Sequence, residues 1–523
     1  MTQNQIKVTF QPQGSTVYVL PGTKIIEAAA IAGIIIDTPC GGEGTCGKCK
    51  VKILQPEQKK GDCLSCRQEI AEDMVVEVLQ DSLLLGLDKI VVDSNIVQEI
   101  IPDKRCEKVG KCYGVAVDIG TTTIAASLVN LKDGAEIAIT GNINPQISFG
   151  DDVISRIKHA ASGQKALAEM QKAVVRQINA MIENLCGQGT VNKNDIYEIT
   201  IAGNTTMEHL VCGIDPAPLG QLPFKPSWRG ANAINASELK FNINSHGKVY
   251  VFPIIGGFVG GDITAGLLAS DILNQSSPLL FVDIGTNGEI VLVKDGKILA
   301  ASTAAGPAFE GARISCGTRA ATGAIEKVKF NDDCEFGVIG NVEPTGICGS
   351  GLIDITAELL NAGIVDSTGR MIQPSNIPQK IAQRVVIDKN NQPAFVIHKK
   401  LKITQKDIRQ IQLAVGAIRA GISIILKKAG IKASDLKKVL IAGGFGSFIR
   451  RNHAQRIGLL PADVSREKIS FIGNSSLAGA KLALLSISAR QKAQILASQT
   501  QHIELSVDSN FQNEFASAMI FPA

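Results

Sequence analysis

Residues 39–49 of this 523-residue chain read Pro-Cys-Gly-Gly-Glu-Gly-Thr-Cys-Gly-Lys-Cys. Cys40, Cys46 and Cys49 therefore stand at the spacing C-x5-C-x2-C, and Cys66 follows after sixteen intervening residues. Thiolates hold iron–sulfur clusters, and three clustered cysteines with a fourth farther along the chain form the ligand pattern of a [2Fe–2S] centre. The spacing therefore predicts a [2Fe–2S] cluster held by these four cysteines.

Two other interpretations of these cysteines are a zinc site and a disulfide. Zinc sites usually pair two short C-x-x-C knuckles; the loop contains one, and Cys63 with Cys66 offers a second. The glycines of the loop favour the cluster, because backbone that wraps a buried inorganic group needs positive φ angles and close approach. These glycines are Gly41, Gly42, Gly44 and Gly47.

The residues that flank the loop predict a small α+β domain over residues 1–80. β-rich runs precede and follow the loop, and a short helix with a one-sided apolar face lies before it. The predicted strands span 6–10, 16–20, 50–54 and 74–79, and the predicted helix spans 24–32. This arrangement resembles the β-grasp ferredoxins, whose fourth ligand usually follows a small residue, as Cys66 follows Ser65. The resemblance implies Cys66 as a ligand and leaves Cys63 as a spare thiol.

Residues 81–112 predict a linker between this domain and the rest of the chain. Its apolar stretches have no sustained period and residues 102–105 are polar, which indicates a tether with one or two docked segments. Cys106 and Cys112 lie in this linker without a third ligand nearby. Free thiols are therefore the favoured interpretation of both.

The composition argues against several classes of function. A net charge of +4 and an aromatic content of 4% indicate neither a nucleic-acid surface nor a membrane surface. The first residues carry no charged-then-apolar signal pattern, and the sequence has no uncharged apolar run of about 18 residues. Twelve cysteines without a signal pattern indicate metal binding in a reducing compartment, so a cytoplasmic location is predicted.

An internal repeat organises the remainder of the chain, residues 113–523. An apolar run that ends in Asp118-Ile-Gly-Thr recurs 165 residues later as one that ends in Asp283-Ile-Gly-Thr, and a second β-rich run follows each. Each copy predicts a hairpin whose tip binds phosphate through backbone N–H groups and hydroxyls, with the aspartate orienting a hydrated Mg²⁺ ion. The tip residues are Gly120, Thr121 and Thr122 in the first copy and Gly285, Thr286 and Asn287 in the second.

Two such hairpins a domain apart can clamp a polyphosphate between two lobes, predicted at about 113–275 and 276–523. A third stretch, residues 439–447, is an apolar strand that runs into Gly443 and Gly444. Glycines at that turn allow flat, close contact with an adenosine. The three motifs together predict an ATP site.

The combination resembles the superfamily of acetate kinase, sugar kinases, heat-shock chaperone ATPases and actin. The resemblance implies a duplicated actin-like (ribonuclease H-like) fold, and hence an α/β multidomain protein. It also implies a catalytic carboxylate shortly before the second hairpin, where this chain has Asp262. Asp262 would orient or deprotonate the attacking water or hydroxyl. The residues leave a second role open, since Asp262 could also cap a helix over residues 263–269.

Other glycine-rich stretches lie at residues 201–206, 305–311 and 345–351. They suit either a nucleotide cleft or domain-packing turns, and the sequence does not choose between the two. Cys316 and Cys348 lie in or beside these stretches without a second ligand nearby, which indicates buried thiols.

A ferredoxin-like domain joined to this kind of ATPase body is similar to the reductive activators of corrinoid proteins, over nearly the full length of the chain. The resemblance implies ATP-dependent return of an inactivated Co(II) corrinoid to Co(I). That corrinoid would be bound on a partner corrinoid protein or a corrinoid-dependent methyltransferase component. The implied cofactors are a [2Fe–2S] cluster, ATP and Mg²⁺, and an external low-potential electron donor is implied. A homodimer is left open.

The chain departs from some of these relatives in two respects. Asp118 follows the linker almost at once, so a further domain found there in some relatives is expected to be absent or reduced. Residues 488–523 contain no cysteine, so only the N-terminal cluster is expected. Two other functions stay open: a redox-sensing ATP-binding regulator, and a small-molecule kinase with an accessory cluster.

Overall fold

The computed structural model describes residues 6–32, 34, 36, 44, 47–79, 82, 100–103, 110–372, 377–388, 391–443 and 449–522. These residues form two compact units. The first unit comprises Met1–Gly86 and Arg105–Val251, and the second comprises Leu87–Lys104 and Phe252–Ala523.

The N-terminal part of the first unit is a five-stranded mixed sheet with one helix. Its elements are β1 (Ile6–Gln11), β2 (Ser15–Val19), α1 (Ile25–Ile31), β3 (Lys50–Gln55), β4 (Gly61–Leu64) and β5 (Met74–Val78). The strand order is β2-β1-β5-β3-β4, with β1 and β5 parallel and the other pairs antiparallel. Ile6, Val8 and Phe10 alternate inward along β1 and pack in one core with Ile25 and Ala29 of α1. This is the predicted β-grasp ferredoxin arrangement.

The remainder of the first unit is a six-stranded sheet with helices. Its elements are β6 (Tyr113–Ile119), β7 (Thr123–Asn130), β8 (Glu136–Ile143), α2 (Val153–Ala160), α3 (Gln164–Gly189), β9 (Ile196–Gly203), α4 (Thr205–Cys212), β10 (Ala233–Asn235) and β11 (Lys248–Val251). The strand order is β10-β11-β9-β6-β7-β8. Helix α3 buries Val174, Ile178 and Leu185 in the core that it shares with this sheet. We call this part of the unit the middle domain.

The second unit contains a six-stranded sheet and two three-stranded sheets. Its first elements are α5 (Gly261–Ala269), β12 (Leu279–Ile284), β13 (Gly288–Lys294), β14 (Lys297–Thr303), β15 (Ala324–Phe330), β16 (Cys334–Val338), β17 (Gly346–Ile347) and α6 (Gly349–Asn361). They are followed by α7 (Gln379–Ala382), β18 (Val385–Ile387), β19 (Pro393–His398), β20 (Leu401–Thr404), α8 (Gln405–Lys428) and β21 (Lys438–Ala442). The last are α9 (Arg451–Arg456), β22 (Ile469–Gly473), α10 (Ser475–Leu485), α11 (Ile487–Gln499), β23 (Thr500–His502) and α12 (Phe511–Ala518). The large sheet has the order β22-β21-β12-β13-β14-β23.

The two six-stranded sheets repeat one arrangement. In each, two strands form an antiparallel hairpin and a third strand extends it, as β6-β7-β8 and as β12-β13-β14. A later strand then pairs in parallel with the first strand of the hairpin, namely β9 with β6 and β21 with β12. Each D-I-G-T motif ends the first strand of its hairpin and continues into the turn before the second strand. The prediction of a duplicated actin-like fold is therefore confirmed.

Helix α8 is, within the described parts of the chain, the one helix long and apolar enough to cross a membrane by length and composition. Its most apolar window is 72% buried inside the protein. Ile411, Val415 and Ile418 of this helix lie in the hydrophobic core of the second unit. The burial of α8 is that of a core helix.

The cysteines of the linker differ from the prediction. Cys112 is disulfide-bonded, so the prediction of a free thiol is wrong at this position; Cys106 lies outside the described residues. A disulfide requires two thiols to meet at about 2 Å, and the spacing along the chain does not fix such a meeting. Cys316 and Cys348 are free, and Cys348 is buried, as predicted; Cys316 is only half-buried, so the prediction of a buried thiol is wrong there.

Candidate cluster and nucleotide sites

Cys49 and Cys66 form a buried pair of thiols. Cys49 lies immediately before β3, and Cys66 lies in the turn after β4. The antiparallel pairing of these strands places Lys50 opposite Leu64, and the Ser65 N–H donates to the Cys49 carbonyl at 2.9 Å. The two Sγ atoms are consequently 3.2 Å apart, and both side chains are at most 1% exposed.

That separation fits two thiolates on one metal atom. With metal–sulfur bonds of about 2.3 Å, two ligands of a tetrahedral site lie about 3.7 Å apart, so a small outward movement of the Cys49 and Cys66 sulfurs accommodates an iron atom. Cys40 and Cys46, the other two predicted ligands, lie outside the described residues. The described half of the cysteine set therefore suits the cluster.

Cys63 is less suited to the same role. It lies in β4 opposite Val51, and its side chain is half-buried. Burial raises the pKa of the Cys63 thiol to about 11, and the nearby Cys49 and Asp62 add to this rise. The geometry favours Cys66 over Cys63 as the partner of Cys49.

Two glycines of the cysteine loop have the predicted backbone conformation. Gly44 has φ +68° and Gly47 has φ +71°, angles that side chains other than hydrogen rarely allow. A Cβ atom at Gly44 would also lie 2.7 Å from Nε of Arg67. Gly41 and Gly42 lie outside the described residues.

Two asparagines hold the tip of the first D-I-G-T hairpin. The Asn144 side chain, fully buried, donates to the Gly120 carbonyl at 2.9 Å, and its backbone N–H donates to the Thr122 carbonyl at 2.9 Å. The Asn204 amide donates to Oγ1 of Thr121 at 2.9 Å. The sequence placed Asn204 in a glycine-rich stretch of undecided role, and Asn144 carried no motif. Asn144 thus fixes the backbone of the hairpin tip, and Asn204 fixes the Thr121 side chain.

The second hairpin is held differently. The Gly285 N–H donates to the Asn287 carbonyl at 2.9 Å, which closes the turn. The Thr286 hydroxyl donates to the carboxylate of Glu310. Glu310 belongs to the glycine-rich stretch 305–311, so this stretch supports the hairpin tip.

Asp262 is the second residue of α5 and is half-buried. Its Oδ1 accepts from the N–H of Ile263 at 2.8 Å, while the N-cap position is occupied by Gly260. The alternative role of Asp262 as the N-cap of this helix is therefore wrong, because the helix begins two residues earlier than predicted. Its carboxylate remains at the first turn, where the helix dipole favours negative charge.

Glu289 is a carboxylate that the sequence reasoning missed. It pairs with Asp283 across the β12–β13 hairpin, is 7% exposed, and accepts from the Ser302 hydroxyl at 3.2 Å. Burial raises the pKa of Glu289 well above its usual range, and the charges of Asp262 and Asp283 raise it further. Glu289 is thus electrostatically coupled to both predicted carboxylates. Its signal in the sequence was a charged residue in an otherwise apolar strand.

Gly443 brings the glycine turn against the second hairpin. Because β21 runs parallel to β12, Ala442 lies beside Asp283. Gly443 has φ +96°, and a Cβ there would lie 2.6 Å from the Ile284 carbonyl oxygen and 2.9 Å from Oδ1 of Asp283. Glycine alone allows this approach. Gly444 lies outside the described residues.

Two other glycine positions act as packing contacts. A Cβ at Gly317 would lie 2.1 Å from the Gly311 carbonyl oxygen, and one at Gly351 would lie 2.3 Å from the Ile325 carbonyl oxygen. Either distance is far below van der Waals contact. In these places the glycine-rich stretches serve close backbone packing, one of the two roles the sequence left open.

A buried ionic cluster anchors the helix that follows the glycine turn. His453 of α9 donates from Nδ1 to Oδ1 of Asp354 at 2.6 Å and lies 3.4 Å from Oε1 of Glu358 through Nε2; both carboxylates belong to α6. Asp354 also accepts from the Val328 N–H at 3.1 Å and pairs with Arg450 at 3.4 Å. These contacts fix α9 against α6 within the second unit.

We expect this cluster to make the stability of the second unit depend on pH. Burial lowers the pKa of His453, but Asp354 and Glu358 outweigh it and raise the value to about 9. A raised folded-state pKa gives a contribution that is complete below about pH 6.5 and is lost as the pH rises through 9. The contribution is about 3 kcal/mol, at about 1.4 kcal/mol for each pKa unit.

The measurement is the unfolding temperature of the full chain and of His453→Gln by calorimetry at three pH values from 6.5 to 9.5. The destabilisation caused by the substitution should be largest at the lowest pH and should shrink as the pH rises. A destabilisation that is constant over this range would show that His453 is not charged in the folded protein.

The fold and these sites define a class of protein. One chain joins a β-grasp ferredoxin domain, with a buried thiol pair, to a duplicated actin-like body whose two D-I-G-T hairpins are held rigidly at their tips. Three family models match parts of this chain. Residues 8–73 match the family "2Fe-2S iron-sulfur cluster binding domain", residues 113–275 match "RACo middle region", and residues 277–523 match "C-terminal domain of RACo the ASKHA domain".

Relatives match along most of the chain. The "Corrinoid activation enzyme RamQ" of Eubacterium limosum is 32% identical over 95% of this chain and 96% of its own length. The "[Co(II) methylated amine-specific corrinoid protein] reductase" of Methanosarcina barkeri is 27% identical over 77% of this chain and 75% of its own. A solved structure, "Reductive activator for corrinoid,iron-sulfur protein", is 33% identical with a TM-score of 0.72, covering 99% of this chain and 98% of that one. The chain belongs to the family of reductive activators of corrinoid proteins.

Proposed function

We propose that this protein uses ATP to drive the one-electron reduction of a partner corrinoid protein from Co(II) to Co(I). The observation that carries the proposal is the union, in one chain, of a buried thiol pair suited to a cluster with the paired phosphate hairpins of an actin-like ATPase. The family to which the chain belongs supports the same reaction. A bound [2Fe–2S] cluster would supply the electron. An external low-potential donor would then reduce the cluster again.

We assign the cluster to Cys40, Cys46, Cys49 and Cys66. The support is the spacing of the four residues and the 3.2 Å contact between the sulfurs of the last two. The buried position of Cys49 and Cys66 keeps water from their sulfurs. Hydrogen bonding between Ser65 and Cys49 holds the two turns in register.

We assign the polyphosphate of ATP to the two hairpin tips and the adenosine to the glycine turn. The tip residues are Gly120, Thr121 and Thr122 in the first unit and Gly285, Thr286 and Asn287 in the second. The glycine turn proposed for the adenosine contains Gly443 and Gly444. These assignments are supported by the hydrogen bonds that hold the two hairpin tips and by the positive φ of Gly443. Backbone N–H groups in such turns bind phosphate oxygens.

Three carboxylates would serve the metal and the chemistry of ATP. Asp118 and Asp283 end the first strands of the hairpins and suit a hydrated Mg²⁺ ion, which keeps several waters and takes only one or two protein carboxylates. Asp262, at the first turn of α5, suits the group that orients or deprotonates the attacking water. The coupling of Glu289 to Asp262 and Asp283 supports their convergence within the second unit.

The energetic role of ATP follows from simple arithmetic. Each ~59 mV of unfavourable potential in a one-electron step lowers the equilibrium constant about tenfold. A deficit of ~100–200 mV is therefore a few kcal/mol, within reach of a nucleotide that binds two conformations with different affinity. The hairpins and the glycine turn are the elements that would sense the nucleotide.

The remaining assignments concern organisation and surroundings. We propose a ferredoxin-like domain over residues 1–80, a linker over 81–112 and an ATPase body over 113–523 with lobes at about 113–275 and 276–523, consistent with the ranges of the family models. We further propose a cytoplasmic location and a corrinoid protein or corrinoid-dependent methyltransferase component as the partner. A homodimer is compatible with this proposal.

The test is anaerobic spectroscopy of the cobalt. Reduced protein is mixed with a Co(II) corrinoid protein, with and without Mg²⁺-ATP, and the rise of the Co(I) absorbance is followed. We expect Co(I) only when ATP is present. If several corrinoid proteins stay in the Co(II) state although the protein holds its cluster and binds ATP, the proposal fails. Phosphorylation of a sugar or carboxylic acid by the purified protein would instead support the kinase alternative.

A further inference from the structure

Arg319 is a half-buried arginine of the second unit, in the segment between β14 and β15. Its Nη1 is buried without a hydrogen-bond partner among the described residues, and no described carboxylate pairs with it. Other half-buried arginines have partners: Arg384 donates to Asp333, and Arg419 and Arg456 donate to backbone carbonyls. Burying a charged donor without a partner is unfavourable. Within the described parts of the chain, the Arg319 charge is therefore left without an anion.

The backbone that leads into Arg319 is held at two points. Ser315 donates through its N–H and through its hydroxyl to Oδ1 of Asp407, at 2.8 and 3.1 Å. The Thr318 N–H donates to the Ile347 carbonyl at 2.9 Å. The position of Arg319 is thus fixed before any ligand binds, which lowers the entropic cost of using this residue for binding.

The same segment contacts the tip of the second hairpin. Glu310 accepts a hydrogen bond from the hydroxyl of Thr286, a tip residue. Gly311, the next residue, packs so closely on Gly317 that a Cβ atom at Gly317 would lie 2.1 Å from the Gly311 carbonyl oxygen. Arg319 follows Gly317 by two residues, which span at most about 7 Å. A long side chain that starts at this position can reach a ligand bound at the tip.

The charges around this tip favour a nearby cation. The charges of Asp262 and Asp283 act on Glu289, and Glu310 adds a fourth carboxylate. The two hairpin turns and the glycine turn, residues 118–123, 283–288 and 439–447, contain neither lysine nor arginine. A triphosphate adds negative charge that Mg²⁺ neutralises only in part. The planar guanidinium of an arginine matches phosphate oxygens, so Arg319 has the charge and the shape that these turns lack.

We propose that Arg319 binds a phosphate oxygen of the nucleotide at the tip of the second hairpin. The phosphate supplies the anion that Arg319 lacks, so binding relieves the burial of an unpaired donor and adds a charge-assisted hydrogen bond. The ligand class is a nucleoside di- or triphosphate, and a nucleoside without phosphates gains nothing from Arg319. The inference rests on the proposed function in taking ATP as the ligand, and it is tested by binding alone, without a corrinoid protein.

The test is anaerobic calorimetric titration of the full chain, with its cluster, with Mg²⁺-ATP and with adenosine. The variant is Arg319→Met, which keeps nearly the length and the apolar stem of the side chain but removes the charge and the donors. Arg313→Met is the matched control, because Arg313 lies in the same segment and is exposed. The unfolding temperature of each nucleotide-free protein is measured alongside.

We expect Arg319→Met to weaken Mg²⁺-ATP binding about 10- to 100-fold, the equilibrium effect of losing a hydrogen bond to a charged group. Its affinity for adenosine should equal that of the wild type, and Arg313→Met should bind both ligands as the wild type does. The unfolding temperature of nucleotide-free Arg319→Met should not fall, because the buried Nη1 has no partner to lose.

Three results would overturn the inference and leave the proposed function intact. They are wild-type ATP affinity in Arg319→Met, an equal loss of ATP and adenosine affinity, and a lower unfolding temperature of the nucleotide-free variant, which indicates a structural role. If the unsubstituted protein binds no ATP, the proposed function fails and this inference fails with it.

A second measurement uses the unsubstituted protein. Phenylglyoxal, which modifies guanidinium groups, is added without ligand, with Mg²⁺-ATP or with adenosine, and modification of Arg319 and Arg313 is followed by mass spectrometry. ATP at about ten times its dissociation constant should slow modification of Arg319 about tenfold, by mass action. Adenosine should not slow it, and Arg313 should react alike in all three samples. An Arg319 that ATP does not protect, or that never reacts, would overturn the inference.

Discussion

Asp262→Asn should lower the ATP-dependent rate of Co(I) formation by about 10²- to 10⁴-fold, the range that a positioned general base contributes. The substitution keeps the size of the side chain and the hydrogen bond that its oxygen accepts from Ile263, so α5 should be unaffected. What it removes is a negative charge that acts on Glu289. Binding of ATP should persist, because the phosphate contacts come from the hairpin tips.

The measurement combines the cobalt assay with ATP hydrolysis and equilibrium nucleotide binding. Asp271→Asn is the matched control, since Asp271 lies just after α5 and bonds to the side chain of Asn274. Its backbone has φ +46°, a conformation that asparagine also accepts. If Asp262→Asn hydrolyses ATP and forms Co(I) at the wild-type rate, Asp262 has no catalytic role. Loss of ATP binding would assign it to the nucleotide site rather than to catalysis.

Cys66→Ser should abolish the cluster, while Cys63→Ser should retain it. A serine hydroxyl is a much poorer ligand than a thiolate for the iron of such a cluster. The Sγ atom of Cys66 lies 3.2 Å from that of Cys49, whereas Cys63 lies in β4 opposite Val51 and is half-buried. We expect the iron content of purified Cys66→Ser to fall about tenfold or more.

The cluster content of each variant is measured by iron and sulfide analysis, by visible absorbance and by electron paramagnetic resonance of the reduced protein. Circular dichroism verifies that both variants are folded. If Cys63→Ser loses the cluster and Cys66→Ser retains it, then Cys63 is the fourth ligand and Cys66 is the spare thiol. Retention in both would mean that either thiol can complete the site, which contradicts the preference drawn from the geometry.

The parts of the fold that the sequence predicted depend on neighbours along the chain. The alternation of Ile6, Val8 and Phe10 specifies a strand with one buried face. The repeated Asp118 and Asp283 motifs each specify a hairpin whose two strands are joined by a few residues. In these elements the contacts that fix the backbone are local, so composition and period suffice.

Several omissions involve residues that are distant along the chain, and the cap predicted for α5 was wrong at a helix boundary. Glu289 feels the charge of Asp262, which lies 27 residues earlier, and Asn144 reaches Gly120 across 24 residues. The buried pair of Asp354 and His453 spans 99 residues. Period and propensity carry no information about such meetings, because closing long loops depends on the packing of the whole unit.

The sequence by itself determined the ligand chemistry, the order of the domains and the duplicated hairpins. Each of these features depends on residues that are only a few positions apart. Tertiary structure decided which of Cys63 and Cys66 meets Cys49, because only the pairing of β3 with β4 sets that distance. It also decided that α1 has a second buried face. A short helix rich in small side chains has the same sequence pattern whether one of its sides or two are buried. Burial of a side chain depends on what packs against it, and that is fixed only when the chain is folded.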